Sequence, residues 1–379
     1  MIKTRKVFYV SGYDPRGLRY YRELFQSQLE KYNNITSSSF EVSEKTRINK
    51  NQTSWSINEK EVESNSNSTA KVDYSFLHWD DVVRQSWLRN PFKLGFKALQ
   101  TYFHYFTNLR WDKVLPIAKK RTFGLLYPII TFFLFWVGSY FILTSAANFI
   151  GLTPTAVLKT ALFLLAYIPA ALLLDKIKTL WLLRFFIFNV ENFHLSPEKL
   201  NPRIEDFSAS IITALNDPKY DEVLLISHSN GTILSIPLLN KIFSSSVDTS
   251  KLKILTLGQC LLLTTYYKNA LQIKQNLEFL SKQDLTWFDI SSPADNICFP
   301  FLDPFMPNFP PSETRAAKAV MLSPAFHKYY EEKKYKRLKR NKFLLHFQYL
   351  YCADRPSPYN FFNIITSPTP LAETIGSKK

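Results

Sequence analysis

The reading of this chain turns on Val223-Leu224-Leu225-Ile226, followed at once by Ser227-His228-Ser229-Asn230-Gly231 and an apolar segment at residues 232–243. The four apolar residues predict a short buried strand, and residues 232–243 predict a helix. A chain passing from strand to helix through five residues turns so sharply that the positions two before and two after the central serine must be small. Ser227 and Gly231 meet that demand. Such a turn predicts a strained Ser229 backbone, with the hydroxyl held above the end of the strand.

Outward from this turn the pattern is regular. A helix is expected at 203–216, a strand at 222–226, the turn, a helix to 243, a strand at 252–257, a helix at 267–281 and a strand at 285–290. Strands alternating with helices predict an α/β fold with a mostly parallel sheet and helices on both faces. In such folds the chemistry gathers at the carboxyl ends of the strands. Earlier in the chain, residues 6–10 read as a strand, 18–31 as a helix and 72–77 as another strand. Residues 33–70, rich in Ser, Asn and Glu, read as a hydrophilic insertion with a hairpin around 40–57.

The middle of the chain has a different composition. From Thr122 to Leu158 no side chain is charged, and after Lys159 the apolar character continues to Leu174. A membrane span takes roughly 20 apolar residues, so two spans are expected, at 122–147 and 155–174, joined by a turn containing Gly151 and Pro154. Lys119, Lys120 and Arg121 precede the first span; Lys176 and Lys178 follow the second. The positive-inside rule then puts both termini in the cytoplasm. Residues 87–121 interleave bases with aromatics, a pattern that suits lipid headgroups better than nucleic acid beside a span. The organisation predicted is an N-terminal part at 1–121, a transmembrane hairpin with its exit helix at 122–195, and a C-terminal part at 196–379.

The chain carries 47 Lys and Arg against 31 Asp and Glu, a formal charge of +16. That excess implies an anionic partner, here a bilayer with anionic headgroups, and no nucleic acid. Three widely spaced cysteines form no metal-ligand pattern and suit a reducing compartment. The chain shows no phosphate-binding glycine loop, dinucleotide fingerprint or zinc motif, so no cofactor is expected. Residues 1–6 lead straight into a strand, so no secretory signal peptide is expected there.

With its small-x-Ser-x-Gly turn between strand and helix, the chain resembles the α/β-hydrolase superfamily, in its serine esterase and lipase branch. The resemblance covers residues 197–351 best and the first strand less fully; the hydrophilic segment and the apolar hairpin look like insertions. It implies a nucleophile, an acid and a histidine in that chain order. Ser229, Asp295 and His346 keep the order. Of six histidines, His78, His104 and His194 precede the turn and His228 lies on it, which leaves His327 and His346, the latter preferred. Asp295 follows the strand at 285–290 on a loop, whereas Asp289 lies inside it. The resemblance implies an oxyanion hole from the backbone N–H of Asn230 and from the Gly12-Tyr13 loop. The expected activity is a membrane-anchored serine hydrolase cleaving a lipid-like ester or thioester, at a bacterial inner membrane with the catalytic part cytoplasmic. A non-catalytic scaffold of the same fold, or an acyltransferase with the same three residues, are the alternatives.

Overall fold

The computed structural model describes residues 1–60, 69–305 and 315–376. The chain divides into two compact units. One comprises Met1–Gln85, Glu198–Tyr266 and Ala270–Lys379; the other comprises Ser86–Pro197 and Tyr267–Asn269.

The first unit is built on a nine-stranded sheet. Its strands are β1 (Thr4–Val10), β2 (Phe40–Val42), β3 (Thr46–Asn49), β4 (Gln52–Glu59), β5 (Lys71–Leu77), β6 (Glu222–His228), β7 (Leu252–Leu257), β8 (Thr286–Ile290) and β9 (Lys318–Leu322). They lie in the order β2-β4-β5-β1-β6-β7-β8-β9, with β3 paired to β4. From β5 to β9 every pairing is parallel; β2, β3 and β4 join antiparallel. The architecture is therefore α/β, with a mixed but mostly parallel sheet. Residues 40–57, expected as a hairpin, form three antiparallel strands, and residues 61–68 of that insertion lie outside the described residues.

Parallel central strands bury both faces, so they read as unbroken apolar runs. Val7, Tyr9, Leu224, Ile226 and Leu255 share one core with Tyr21, Leu24 and Phe25 of helix Gly17–Thr36 and with Phe361 and Phe362 near the C-terminus. Phe8, Val10, Val223, Leu225 and Ile254, one residue out of step, are equally buried outside that core. Arg5 and Glu222 anchor the amino ends of β1 and β6 with a fully buried 2.7 Å ion pair. The Arg5 Nη1 group also donates to the carbonyls of Ile365 and Ser367, tying the C-terminal segment to β1.

The second unit is helical. Pro91–Asn108 starts with an Asn90 cap whose side chain accepts from the Lys93 N–H. The long helix Trp111–Phe149 is kinked at Ala118, two residues after Pro116. Gly124–Phe149 and Ala156–Lys176 are long and apolar enough to cross a membrane. Only 17% and 28% of their apolar windows are buried, unlike a soluble core helix. The second stretch comprises two helices, Ala156–Leu165 and Tyr167–Lys176. Thr179–Asn189 follows, its Arg184 paired with Asp175 at 2.8 Å. Residues 87–121 fall in this unit.

Candidate active site

Strand β6 delivers the site. It runs two residues further than the apolar run suggests, so Ser227 and His228 still pair with β7. Ser227 occupies an ordinary strand position between Val10 of β1 and Thr256 of β7, which is why a residue with a side chain is accommodated there. The chain then breaks direction at Ser229, whose φ is +53°. This is the left-handed region, sterically unfavourable for a residue with a Cβ and retained where the surroundings over-determine it. Those surroundings are specific. The Ser229 N–H donates to Leu257 O at 2.9 Å, and the Thr232 hydroxyl donates to Ser229 O at 2.6 Å. A Cβ on Gly231 would lie 2.6 Å from Ser11 O and 2.7 Å from Val10 O, so only glycine lets helix Gly231–Phe243 start against β1.

The Ser229 hydroxyl lies 2.7 Å from His346 Nε2, and His346 Nδ1 lies 2.7 Å from Asp295 Oδ2. Both His346 and Asp295 are fully buried. A carboxylate only accepts, so Nδ1 carries the ring proton and Nε2 presents its lone pair to the serine O–H. Burial alone would raise the Asp295 carboxyl. The neighbouring His346, the Ile297 N–H on Oδ1 at 3.0 Å and the Cys298 thiol outweigh burial and hold its pKa below the usual carboxylate value.

His346 ends the short helix Lys342–His346, started by an Asn341 cap that accepts from Leu344 N–H. Two further residues fix the geometry. Tyr349 donates to Asp295 Oδ2 at 3.1 Å and accepts from the Ser292 N–H at 2.8 Å, locking the acid loop to the histidine loop. His228 donates from Nε2 to the His346 carbonyl at 2.8 Å. Burial, reinforced by repulsion from His346, pushes the His228 pKa down to about 3, so this ring is neutral near pH 7. No local pattern in the sequence marks Tyr349 for this role, because its partners Asp295 and Ser292 lie more than 50 residues away.

Gly12 lies directly beside the nucleophile: a Cβ there would sit 2.7 Å from Ser229 Cβ and 3.2 Å from Ser229 Oγ. Its loop is rigid. Trp79 Nε1 donates to Ser11 O at 2.9 Å, Tyr21 donates to Asp14 at 3.0 Å, and Arg16 pairs with Asp14 at 2.6 Å. The Arg16 guanidinium stacks 3.6 Å from the Tyr20 ring centre and reaches over Phe347, the residue after His346. Asn230 follows the nucleophile on the turn; its side-chain amide is buried and has no hydrogen-bond partner among the described residues. The Cys260 thiol lies 3.8 Å from Ser229 Oγ, and burial raises its pKa, so it stays protonated.

The structure thus brings Ser229, His346, Asp295, Asn230 and Gly12 to the carboxyl ends of β1, β6 and β8, with Tyr13 next on the same loop and buried. His327 is exposed, and Asp289 accepts from the Thr256 hydroxyl at 2.7 Å instead of meeting a histidine. Comparison with protein-family models, with curated proteins and with solved structures finds no match to this chain.

Proposed function

We propose that this protein is a membrane-anchored serine hydrolase of α/β-hydrolase type that cleaves a lipid-like ester or thioester. The observation that carries the proposal is the continuous Ser229–His346–Asp295 hydrogen-bond chain, with both links 2.7 Å and the serine in a left-handed backbone conformation. A serine hydroxyl is a poor nucleophile until a base removes its proton. His346 Nε2 is placed to take it as Oγ attacks the acyl carbon. Asp295 keeps the imidazole in the required tautomer and stabilises the imidazolium that forms. The tetrahedral oxyanion falls to the N–H of Asn230 and a donor of the Gly12-Tyr13 loop. On collapse, the leaving alcohol or thiol takes the proton from His346, and Ser229 keeps the acyl group. Water then attacks with His346 again as base, releasing the acid and restoring the serine.

The buried, orphaned Asn230 amide supports this reading, because an unpartnered buried polar group costs about 1–3 kcal/mol and a polar substrate group would satisfy it. The two apolar helices, largely exposed along their lengths, support membrane anchoring. The bases flanking them favour cytoplasmic termini, as in a bacterial inner membrane protein. A lipid-like substrate follows from that location. Hydrolysis of p-nitrophenyl acyl esters by the detergent-solubilised protein tests the proposal. Wild type should turn over, with Ser229→Ala and His346→Ala folded but inactive; equal turnover by Ser229→Ala refutes it.

A further inference from the structure

A second feature lies on the same edge of the sheet as Ser229. A pocket of about 490 Å³ is lined by Lys45, Arg47, Lys50, Arg84 and Arg203, with His78 and the acids Asp80 and Asp81 among its walls. Its parts come from five places: the start of helix Gly17–Thr36 at Leu18, the segment around β3, the start of β4, the residues after β5 and helix Asn201–Asn216. Arg84 pairs with Asp80, and Arg203 with Asp81. Lys45, Arg47 and Lys50 are exposed and make no ion pair among the described residues. Five bases against two acids leave a local excess of three positive charges. Arg203 Nε is also shut off from solvent without a hydrogen-bond partner among the described residues. The Ser11–Gly17 loop links pocket and nucleophile. Gly12 abuts Ser229, while a Cβ on Gly17, whose φ is +67°, would strike the pocket's Asp80 at 2.5 Å.

We propose that this pocket binds a phosphate-bearing ligand, carried either by a lipid headgroup or by a soluble phosphorylated molecule. A phosphomonoester carries up to two negative charges and several acceptor oxygens on one centre. Guanidinium forks and lysine point charges match that chemistry better than they match a single carboxylate. The volume lies within the range of small-molecule sites and exceeds what a bare phosphate fills, leaving room for the group that bears it. Arg84 and Arg203 stand within a few residues of Gln85 and Glu198, where the chain leaves and re-enters this unit. The proposal does not depend on Ser229 being a nucleophile.

The test is calorimetric titration of the full-length detergent-solubilised protein with inorganic phosphate, glycerol phosphate, dihexanoyl phosphatidate and dihexanoyl phosphatidylcholine. Lys45→Glu/Lys50→Glu alters two exposed pocket lysines. Lys333→Glu/Lys339→Glu alters two exposed bases on helix Glu332–Arg340 as a control. Phosphate should bind wild type, Ser229→Ala and the control variant alike, and at least tenfold more weakly to the pocket variant. Phosphatidate binding tenfold tighter than glycerol phosphate, with none for the choline lipid, assigns the lipid source; equal binding assigns the soluble one. Absence of phosphate binding, or equal loss in the control variant, overturns the proposal.

Discussion

Gly12→Ala tests how closely the loop after β1 is fitted to the nucleophile. The added methyl carbon would start 2.7 Å from Ser229 Cβ, 3.2 Å from Ser229 Oγ and 3.2 Å from the His228 carbonyl. Comfortable carbon–carbon contact is about 3.5–4.0 Å, so roughly an ångström must be recovered. Ser229 has little room to give, because Leu257 O holds its N–H and Gly231 is pressed against the backbone of Val10 and Ser11. The loop is equally tied, through Trp79 and the Asp14–Arg16–Tyr21 cluster. Overpacking of this kind costs about 1–3 kcal/mol of stability, which leaves the domain folded. Displacing a reacting group by about 1 Å costs on the order of 10²-fold in rate. The expected result is a kcat/KM for acyl ester hydrolysis about 10²-fold below wild type, with a modestly lower Tm. Gly138→Ala is the control, since nothing lies within 4 Å of the added carbon. Wild-type kcat/KM in a folded Gly12→Ala protein would refute the inferred contact.

Three further substitutions probe other links. Asp295→Asn keeps the shape but lets the imidazole take the wrong tautomer, so kcat should fall by about 10⁴-fold in ester hydrolysis; a loss below tenfold contradicts the role of Asp295. Tyr349→Phe removes the donor to Asp295 and the acceptor for Ser292 N–H. Each lost buried partner costs about 1–3 kcal/mol, so a lower Tm is expected in thermal unfolding, with kcat reduced by roughly tenfold, equivalent to about 1.4 kcal/mol. Asp289, whose pKa burial pushes up to about 7, gives a pH test. Between its unfolded pKa of about 4 and 7, the native protein holds a proton that the unfolded chain lacks, so this group makes stability fall as pH rises, by at most about 1.4 kcal/mol per pH unit. Asp289→Asn mimics the protonated side chain, so its stability relative to wild type should climb from pH 4 to 7 and level off above; a flat difference contradicts the buried neutral acid.

Much of this arrangement was legible in the residues because it rests on constraints that act locally. The β6 turn tolerates few side chains, so its small residues mark it, and the parallel strands are apolar runs because both their faces are covered. Asp295 and His346 followed from chain order under the resemblance, not from any local pattern. Strand β9 escaped notice because Lys318–Leu322 is only partly buried and its apolar run is short. The insertion held three strands where composition suggested a hairpin, since alternation in polar segments is weak. The positioning roles of His228 and Tyr349 were invisible because they depend on contacts more than 50 residues apart in sequence. The basic pocket was hidden for the same reason: Lys45 and Arg203 meet only through the fold.

The most direct test of the central claim is fluorophosphonate labelling of the detergent-solubilised protein, because such probes react with an activated serine and spare an ordinary one. Wild type should label at Ser229, and labelling should vanish in Ser229→Ala and His346→Ala while both remain folded. A well-folded wild-type protein that does not label, or one that labels equally after Ser229→Ala, would contradict the account.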